Sequence, residues 1–115
     1  LRKEGKPLTI FGDGKHTRDF CYVDDVVEAS IRAMTSRKLR GGEVINVGGG
    51  ESYAVESIAK LIGGEVVHLP SRMGDVRHTK ASTAFARKLL GWKQTVSFEQ
   101  GLEKTNQWFE PISIR

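Results

Sequence analysis

Thr17-Arg18-Asp19-Phe20-Cys21-Tyr22-Val23-Asp24-Asp25-Val26-Val27 changes character half-way along, and that change decides the fold class. Arg18 to Val23 carries aromatic and β-branched residues and reads as a strand. Asp24 then offers a side-chain oxygen to the free N–H groups of a helix start, predicting a helix over 25–36. Within it Val27, Ile31 and Met34 recur at i, i+4 and i+7, one apolar stripe, and exposed apolar surface open to a partner domain is expected near this helix and Val44-Ile45-Val47.

The same alternation continues outward. Upstream, Leu8-Thr9-Ile10-Phe11 is a short β-rich run that stops at Gly12-Asp13-Gly14, a strong turn signal. Downstream, Gly41-Gly42 ends the helix and Glu43 to Val47 reads as a strand. That strand is apolar but for Asn46, which predicts an interior place in a larger sheet. Ser52 is the expected N-cap of a helix over 53–62, with Val55, Ile58, Ala59 and Ile62 inward and Gly63-Gly64 at its end. Glu65 to Leu69 is a fourth strand, stopped by Pro70, and 71–80 is polar and irregular. Ser82 is expected to cap a helix over 83–90 with Gly91 at C′. Ser97 and Gln100 have capping-box spacing for a helix over 98–109, with Pro111 beyond it. Short strands alternating with four helices give an α/β class (mixed α+β), expected as a single domain over 1–115.

Composition narrows the function classes. The chain has 115 residues, enough for one modest core. No apolar run approaches the roughly 20 residues that span a bilayer, so no membrane partner is expected. The net charge of +4 suits an anionic small molecule. No Lys/Arg block forms a basic arm and no aromatics interleave with basic residues, so no nucleic-acid partner is expected either. The one cysteine, Cys21, lies in an apolar run and reads as a buried hydrophobe; a cytoplasmic location is expected.

Two segments carry the residue types of a binding site. Gly12-Asp13-Gly14-Lys15-His16-Thr17-Arg18-Asp19 joins two strands; its glycines let backbone approach a ligand, and Arg18 can make a bidentate contact to phosphate. A solvated hairpin turn accounts for the same residues. Arg72-Met73-Gly74-Asp75-Val76-Arg77 follows a strand: arginine suits a pyrophosphate and aspartate suits sugar or ribose hydroxyls. An exposed charged loop is the competing account. Gly48-Gly49-Gly50 lacks G-x-G-x-x-G spacing, and Glu51 puts a negative charge where phosphate would sit, so a tight turn is expected. His16, His68 and His78 show no metal-ligand spacing, so no metal is expected; no G-x-S-x-G elbow supports a hydrolase. Trp92 and Trp108 are expected in the core around the last helix.

Taken in order, these segments resemble one family over about residues 6–109, nearly the whole chain. Pro7 to Gly14, Thr17-Arg18-Asp19-Phe20, Tyr22 to Val27, Ile45-Asn46-Val47-Gly48, Arg72 to His78, Leu90-Gly91-Trp92 and Ser97 to Leu102 with Trp108-Phe109 are similar to the extended short-chain dehydrogenase/reductases. The form Arg72-x-Gly-Asp-Val-Arg-His78 resembles the NAD-dependent epimerase branch, of the UDP-glucose 4-epimerase kind. The resemblance implies a small C-terminal substrate-binding domain for a nucleotide sugar, a UDP-sugar above all. It implies that Phe11 lies against the base, that Arg18 and Arg72 contact the diphosphate, and that Asp75 contacts nucleotide hydroxyls. It also implies a homo-oligomer. Met73, His16 and Lys80-Ala81-Ser82 depart from common family residues, and the Ile62–Val66 link is short; these bear on the substrate more than the fold.

The family's NAD-binding glycine fingerprint and its catalytic Tyr-x-x-x-Lys do not occur among these residues: Tyr22 and Tyr53 are followed at the fourth position by Val26 and Ser57. With Leu1 in first place, the expectation is a fragment of a longer enzyme, inactive alone, with NAD bound by an absent N-terminal Rossmann domain and no catalytic or cofactor residue here. A 4,6-dehydratase, a sugar-nucleotide decarboxylase and a non-catalytic binding or assembly module remain alternatives.

Overall fold

The computed structural model describes residues 1–109. They form two compact units: Leu1–Asp19 with Glu51–Lys80, and Phe20–Gly50 with the chain from Ala81 onward. Pro111, expected to follow the last helix, lies outside the described residues.

The first unit rests on a parallel pair. Strand β1 (Leu8–Phe11) runs beside a later strand, Val66–Leu69, with Leu8 opposite Val66 and Phe11 opposite Leu69. Strand β2 (Thr17–Asp19) pairs antiparallel with β3 (Ser52–Ala54), and Arg18 faces Tyr53 across it. So β1 and β2 are not the two arms of a hairpin; the loop between them separates two sheets. Helix α1 (Val23–Thr35) follows β2 in the chain, helix α2 (Val55–Ile62) follows β3, and Val66–Leu69 is β4.

Ser52 does not cap α2. It lies in β3 and its hydroxyl donates to the Thr79 carbonyl at 2.7 Å. The free N–H groups of the first turn go instead to the glycine loop: Val55 N–H to His16 O at 3.1 Å and Glu56 N–H to Gly14 O at 2.9 Å. At the other end, Gly63 is the C-cap as expected, and Arg2 Nε donates to the Ile62 carbonyl at 3.2 Å. Ala59 buries the inner face of α2, flanked by half-buried Val55, Ile58 and Ile62, as the periodicity predicts.

In the second unit α1 begins two residues earlier than predicted, with Tyr22 as N-cap, and Asp24 falls inside the first turn. Its apolar stripe is exposed, as expected near this helix: Val27, Ile31 and Met34 face outward, Met34 at 83%, while Asp25 and Ala29 are buried. The small Ala29 admits Ala86 of helix α3 (Ala84–Leu90) and Trp92, and these three make the core, lined by Cys21, Ile45, Val47 and Leu90. Large side chains on the other α1 face cannot approach α3 as closely.

Residues 43–47 form no β-ladder among the described residues. Ile45 and Val47 lie on the core cluster while Val44 is 86% exposed, so this segment buries one face and not both. Thr83 and not Ser82 precedes α3, and Gly91 closes it in the left-handed region at φ 61°, as its position predicts. Helix α4 (Phe98–Phe109) opens with the expected capping box: Gln100 N–H donates to Ser97 Oγ at 3.2 Å and Ser97 N–H to Gln100 Oε1 at 3.1 Å. Trp92 is 1% exposed, as expected, but Trp108 is 67% exposed and does not join the core. No helix among the described residues is long and apolar enough to cross a membrane.

Candidate functional site

A cleft of about 320 Å³ opens in the first unit between the end of β1 and the irregular stretch after β4. Phe11, Arg72 and Asp75 line it, with Asp13, His16 and Arg77. The parallel pairing explains the meeting: Phe11 and Leu69 are register partners, so the chain leaves both strands at the same edge. Gly12 N–H donates to Leu69 O at 2.8 Å and holds the two exits together.

Each loop has a local reason for its shape. In the first, Asp13 Oδ1 accepts the Lys15 N–H at 2.9 Å, an Asx turn between Gly12 and Gly14, both at positive φ. Gly14 is also pressed from outside: a Cβ there would stand 3.1 Å from Glu56 Cβ and 3.3 Å from Ile10 Cγ2. In the second, Asp75 N–H donates to Arg72 O at 3.3 Å, and Gly74 takes φ 83° at the third position of that turn. A type II turn needs such a residue, and it sets Arg72 and Asp75 at the two ends of one turn.

The four residues singled out for phosphate, base and hydroxyl contact meet as two pairs. The Arg72 guanidinium lies over the Phe11 ring, 3.4 Å from its centroid. Arg18 Nη2 donates to Asp75 Oδ1, and Arg18 Nη1 to its neighbour's carbonyl, Thr17 O, at 2.9 Å. Both partners of the ion pair are partly buried, with side chains 26% and 35% exposed.

A third arginine was not singled out in the sequence. Arg77 makes a two-pronged contact with Asp13, Nη1 to Oδ1 at 3.1 Å and Nη2 to Oδ2 at 2.9 Å. The Arg77 hydrogen bond, then the Lys15 N–H and both cationic charges, hold the Asp13 carboxyl below the usual range. Thr17 and 77–79 continue this seam: Thr17 N–H donates to Arg77 O at 2.9 Å, and Thr17 Oγ1 meets His78 Nδ1 at 3.0 Å. The sequence signal for the pair was present, an aspartate between two glycines and a second arginine in the later loop, but nothing in spacing couples residues 64 apart.

The second unit has its own cleft, about 450 Å³, lined by Gly48-Gly49-Gly50, Arg87 and Trp92 among others. The glycine run leads into β3 and not into a helix, so it does not form a strand–turn–helix phosphate loop.

Residues 2–48 match the family described as NAD dependent epimerase/dehydratase. The crystal structure of UDP-glucose 4-epimerase with UDP-glucose from Thermotoga maritima superposes with a TM-score of 0.85 at 39% identity, covering 94% of this chain and 36% of that one. A UDP-glucuronate 4-epimerase of Thermodesulfobacterium geofontis is 38% identical over 112 residues, 91% of this chain and 34% of its own length. Over residues 2–48 the chain is thus similar to the NAD-dependent epimerase/dehydratase family, and over nine-tenths of its length to UDP-sugar epimerases. A second curated relative, a UDP-N-acetyl-alpha-D-glucosaminuronate decarboxylase of Bacillus cytotoxicus, is 33% identical and is covered over 37% of its length. The chain spans little more than a third of the length of the curated relatives it matches.

Proposed function

We propose that this chain is the nucleotide-gripping part of an NAD-dependent UDP-sugar epimerase of the UDP-glucose 4-epimerase kind. The observation that carries the reading is the meeting of Phe11, Arg72 and Asp75 around one cleft, with Arg18 paired to Asp75. In this reading Phe11 lies against the base, Arg18 and Arg72 take the diphosphate, and Asp75 accepts from nucleotide hydroxyls. Two guanidinium groups suit a diphosphate because each offers paired N–H donors to a tetrahedral anion. The ligand of the Thermotoga structure, UDP-glucose, supports the same substrate class.

Hydride transfer to and from NAD belongs, in this reading, to a Rossmann domain elsewhere in a longer protein. The work of the present residues is positional. They hold the nucleotide end so that the sugar reaches the reacting groups in one orientation, and orientation alone accounts for a large part of such barriers. Alone the chain is inactive and binds UDP weakly, with the contacts to the sugar missing.

The decarboxylase relative supports a second reading, in which the same grip serves decarboxylation of a UDP-uronic acid. The Arg72-Met73-Gly74-Asp75 form favours the epimerase. Titration of UDP into the chain, followed by NMR to millimolar ligand, tests the grip: Arg18→Ala and Arg72→Ala are expected to abolish the shifts around the cleft. Equal binding by both variants and the parent chain would refute it. Product analysis on the longer protein separates the two reactions.

A further inference from the structure

The two arginines assigned to the diphosphate are not in the same state. Arg18 is held by Asp75 and Arg77 by Asp13, whereas Arg72 makes no ion pair among the described residues and faces an aromatic ring. An anion entering this cleft therefore meets Arg72 without a carboxylate partner and Arg77 with one, while Arg18, not itself part of the lining, is joined to it through Asp75. The carboxylate on Arg18 is also the group proposed to receive hydroxyls.

Resting on the nucleotide-site reading above, we propose that Asp75 is a resident counter-ion that makes the site selective for ligands bearing both phosphate and hydroxyl groups. Arg72 takes a phosphate first. Arg18 then leaves Asp75 for the second phosphate, and Asp75, uncovered, accepts hydrogen bonds from the ligand's hydroxyls. No bond to carbon or phosphorus forms or breaks; one ion pair is exchanged for another, and the carboxylate is passed to new donors.

The exchange discriminates because its two halves depend on each other. A carboxylate stripped of its guanidinium and offered nothing in return is left under-satisfied, and that penalty falls on the incoming ligand. Inorganic pyrophosphate can draw Arg18 away but has no hydroxyl to give Asp75. A nucleoside diphosphate supplies both. Asp75 stands where it can do this because the turn through Gly74 fixes it beside Arg72 while its carboxylate reaches Arg18 on the other loop.

The test is a comparison of pyrophosphate with UDP, titrated into the full 115-residue chain and read as NMR shifts of the cleft amides. In Asp75→Asn and Asp75→Ala, pyrophosphate affinity is expected to rise roughly three- to ten-fold, the scale of a partly exposed ion pair, while the preference for UDP over pyrophosphate shrinks. Loss of a negative charge alone would favour any anion, so the decisive arm is a double-mutant cycle. In an Arg18→Gln background, Asp75→Asn is expected to raise pyrophosphate affinity by clearly less than in the parent chain, because no pair is left to release and only the loss of charge acts. Asp75→Asn preserves the side-chain shape and carries the test should Asp75→Ala fail to fold. Pyrophosphate affinity unchanged or lowered by both Asp75 variants, or a gain as large in Arg18→Gln as in the parent chain, overturns the proposal. If UDP binding still depends on Arg72 in that case, the nucleotide-site reading stands and only the counter-ion role falls. Absence of UDP binding to the parent chain, or binding indifferent to Arg72→Ala, overturns both.

Discussion

The guanidinium of Arg72 and the ring of Phe11 face each other at 3.4 Å across 61 residues of chain, one from the turn after β4 and the other from the last position of β1. A parallel strand pair places them there: Phe11 is level with Leu69, and Arg72 is the third residue on. The contact uses the ring's negative face and a cation that remains open to a ligand.

Phe11→Ala removes that face. A cation–π contact at a partly exposed site is worth about 0.5–1 kcal/mol. UDP binding is expected to weaken by a few fold, more for a nucleotide than for pyrophosphate because the base loses its neighbour. Phe11→Tyr is expected to retain most of it. NMR titrations with the two ligands check both statements.

Gly14→Ala is expected to destabilise the first unit by about 1–3 kcal/mol, since it places a side chain in the left-handed region. The residue stands at φ 72°, and its Cβ would press on Glu56 Cβ and Ile10 Cγ2. Relief would have to move the start of α2, whose Glu56 N–H is held by the Gly14 carbonyl. Urea unfolding measures the loss. Gly41→Ala, also at positive φ but with nothing within 4 Å, isolates the backbone part of the effect.

Asp25 is the buried carboxylate of the second unit, 3% exposed. It accepts from Thr95 N–H at 3.0 Å, Thr95 Oγ1 at 2.7 Å and Val96 N–H at 3.0 Å, while its carbonyl accepts the Trp92 Nε1–H at 2.8 Å. Burial pushes its carboxyl up, but the Thr95 hydroxyl, the two N–H groups and the Lys104 charge outweigh it and hold it below the ordinary value. A depressed folded pKa means the unfolded chain takes up the proton first. The contribution is therefore complete above the ordinary Asp pKa of about 3.9 and is lost as pH falls through the lower folded value. Asp25→Asn is expected to cost about 2–3 kcal/mol at neutral pH and to flatten the acid limb. Urea titrations at pH 7 and in the acid range measure both.

The exposed stripe of α1, Val27, Ile31 and Met34, is expected to drive self-association of the isolated chain. Val27→Lys with Ile31→Glu should shift it towards monomer without loss of stability, since neither side chain is in the core. Sedimentation over a wide concentration range decides; a parent chain monomeric throughout contradicts the expectation.

Much of the local punctuation was legible. The Ser97–Gln100 box and Gly91 and Gly63 as helix ends rest on interactions within a few residues, and a sequence states those directly; the strands at Leu8–Phe11 and Val66–Leu69 were legible as β-rich runs, though not as each other's partners. Ser52 misled because a serine before a helix is a cap only if its own backbone is free; here β2 claims it, and the helix borrows carbonyls from Gly14 and His16. Periodicity tells which residues share a face, but the face turned inward is chosen by fit, and Ala29 and Asp25 fitted Trp92 and Thr95.

By itself the amino-acid sequence determined the mixed α/β class, most of the elements, the resemblance to a family, and the residue types on the two loops: arginines, an aspartate and a phenylalanine. Only the tertiary structure decided how those groups are engaged. Arg18 with Asp75, Arg77 with Asp13 and Arg72 with Phe11 are pairings between residues 57 to 64 apart, or 61 for the last. Charge and spacing allow several partners to each arginine. The β1–β4 register and the turn at Gly74 leave one, because they fix which side chains arrive at the same edge of the sheet.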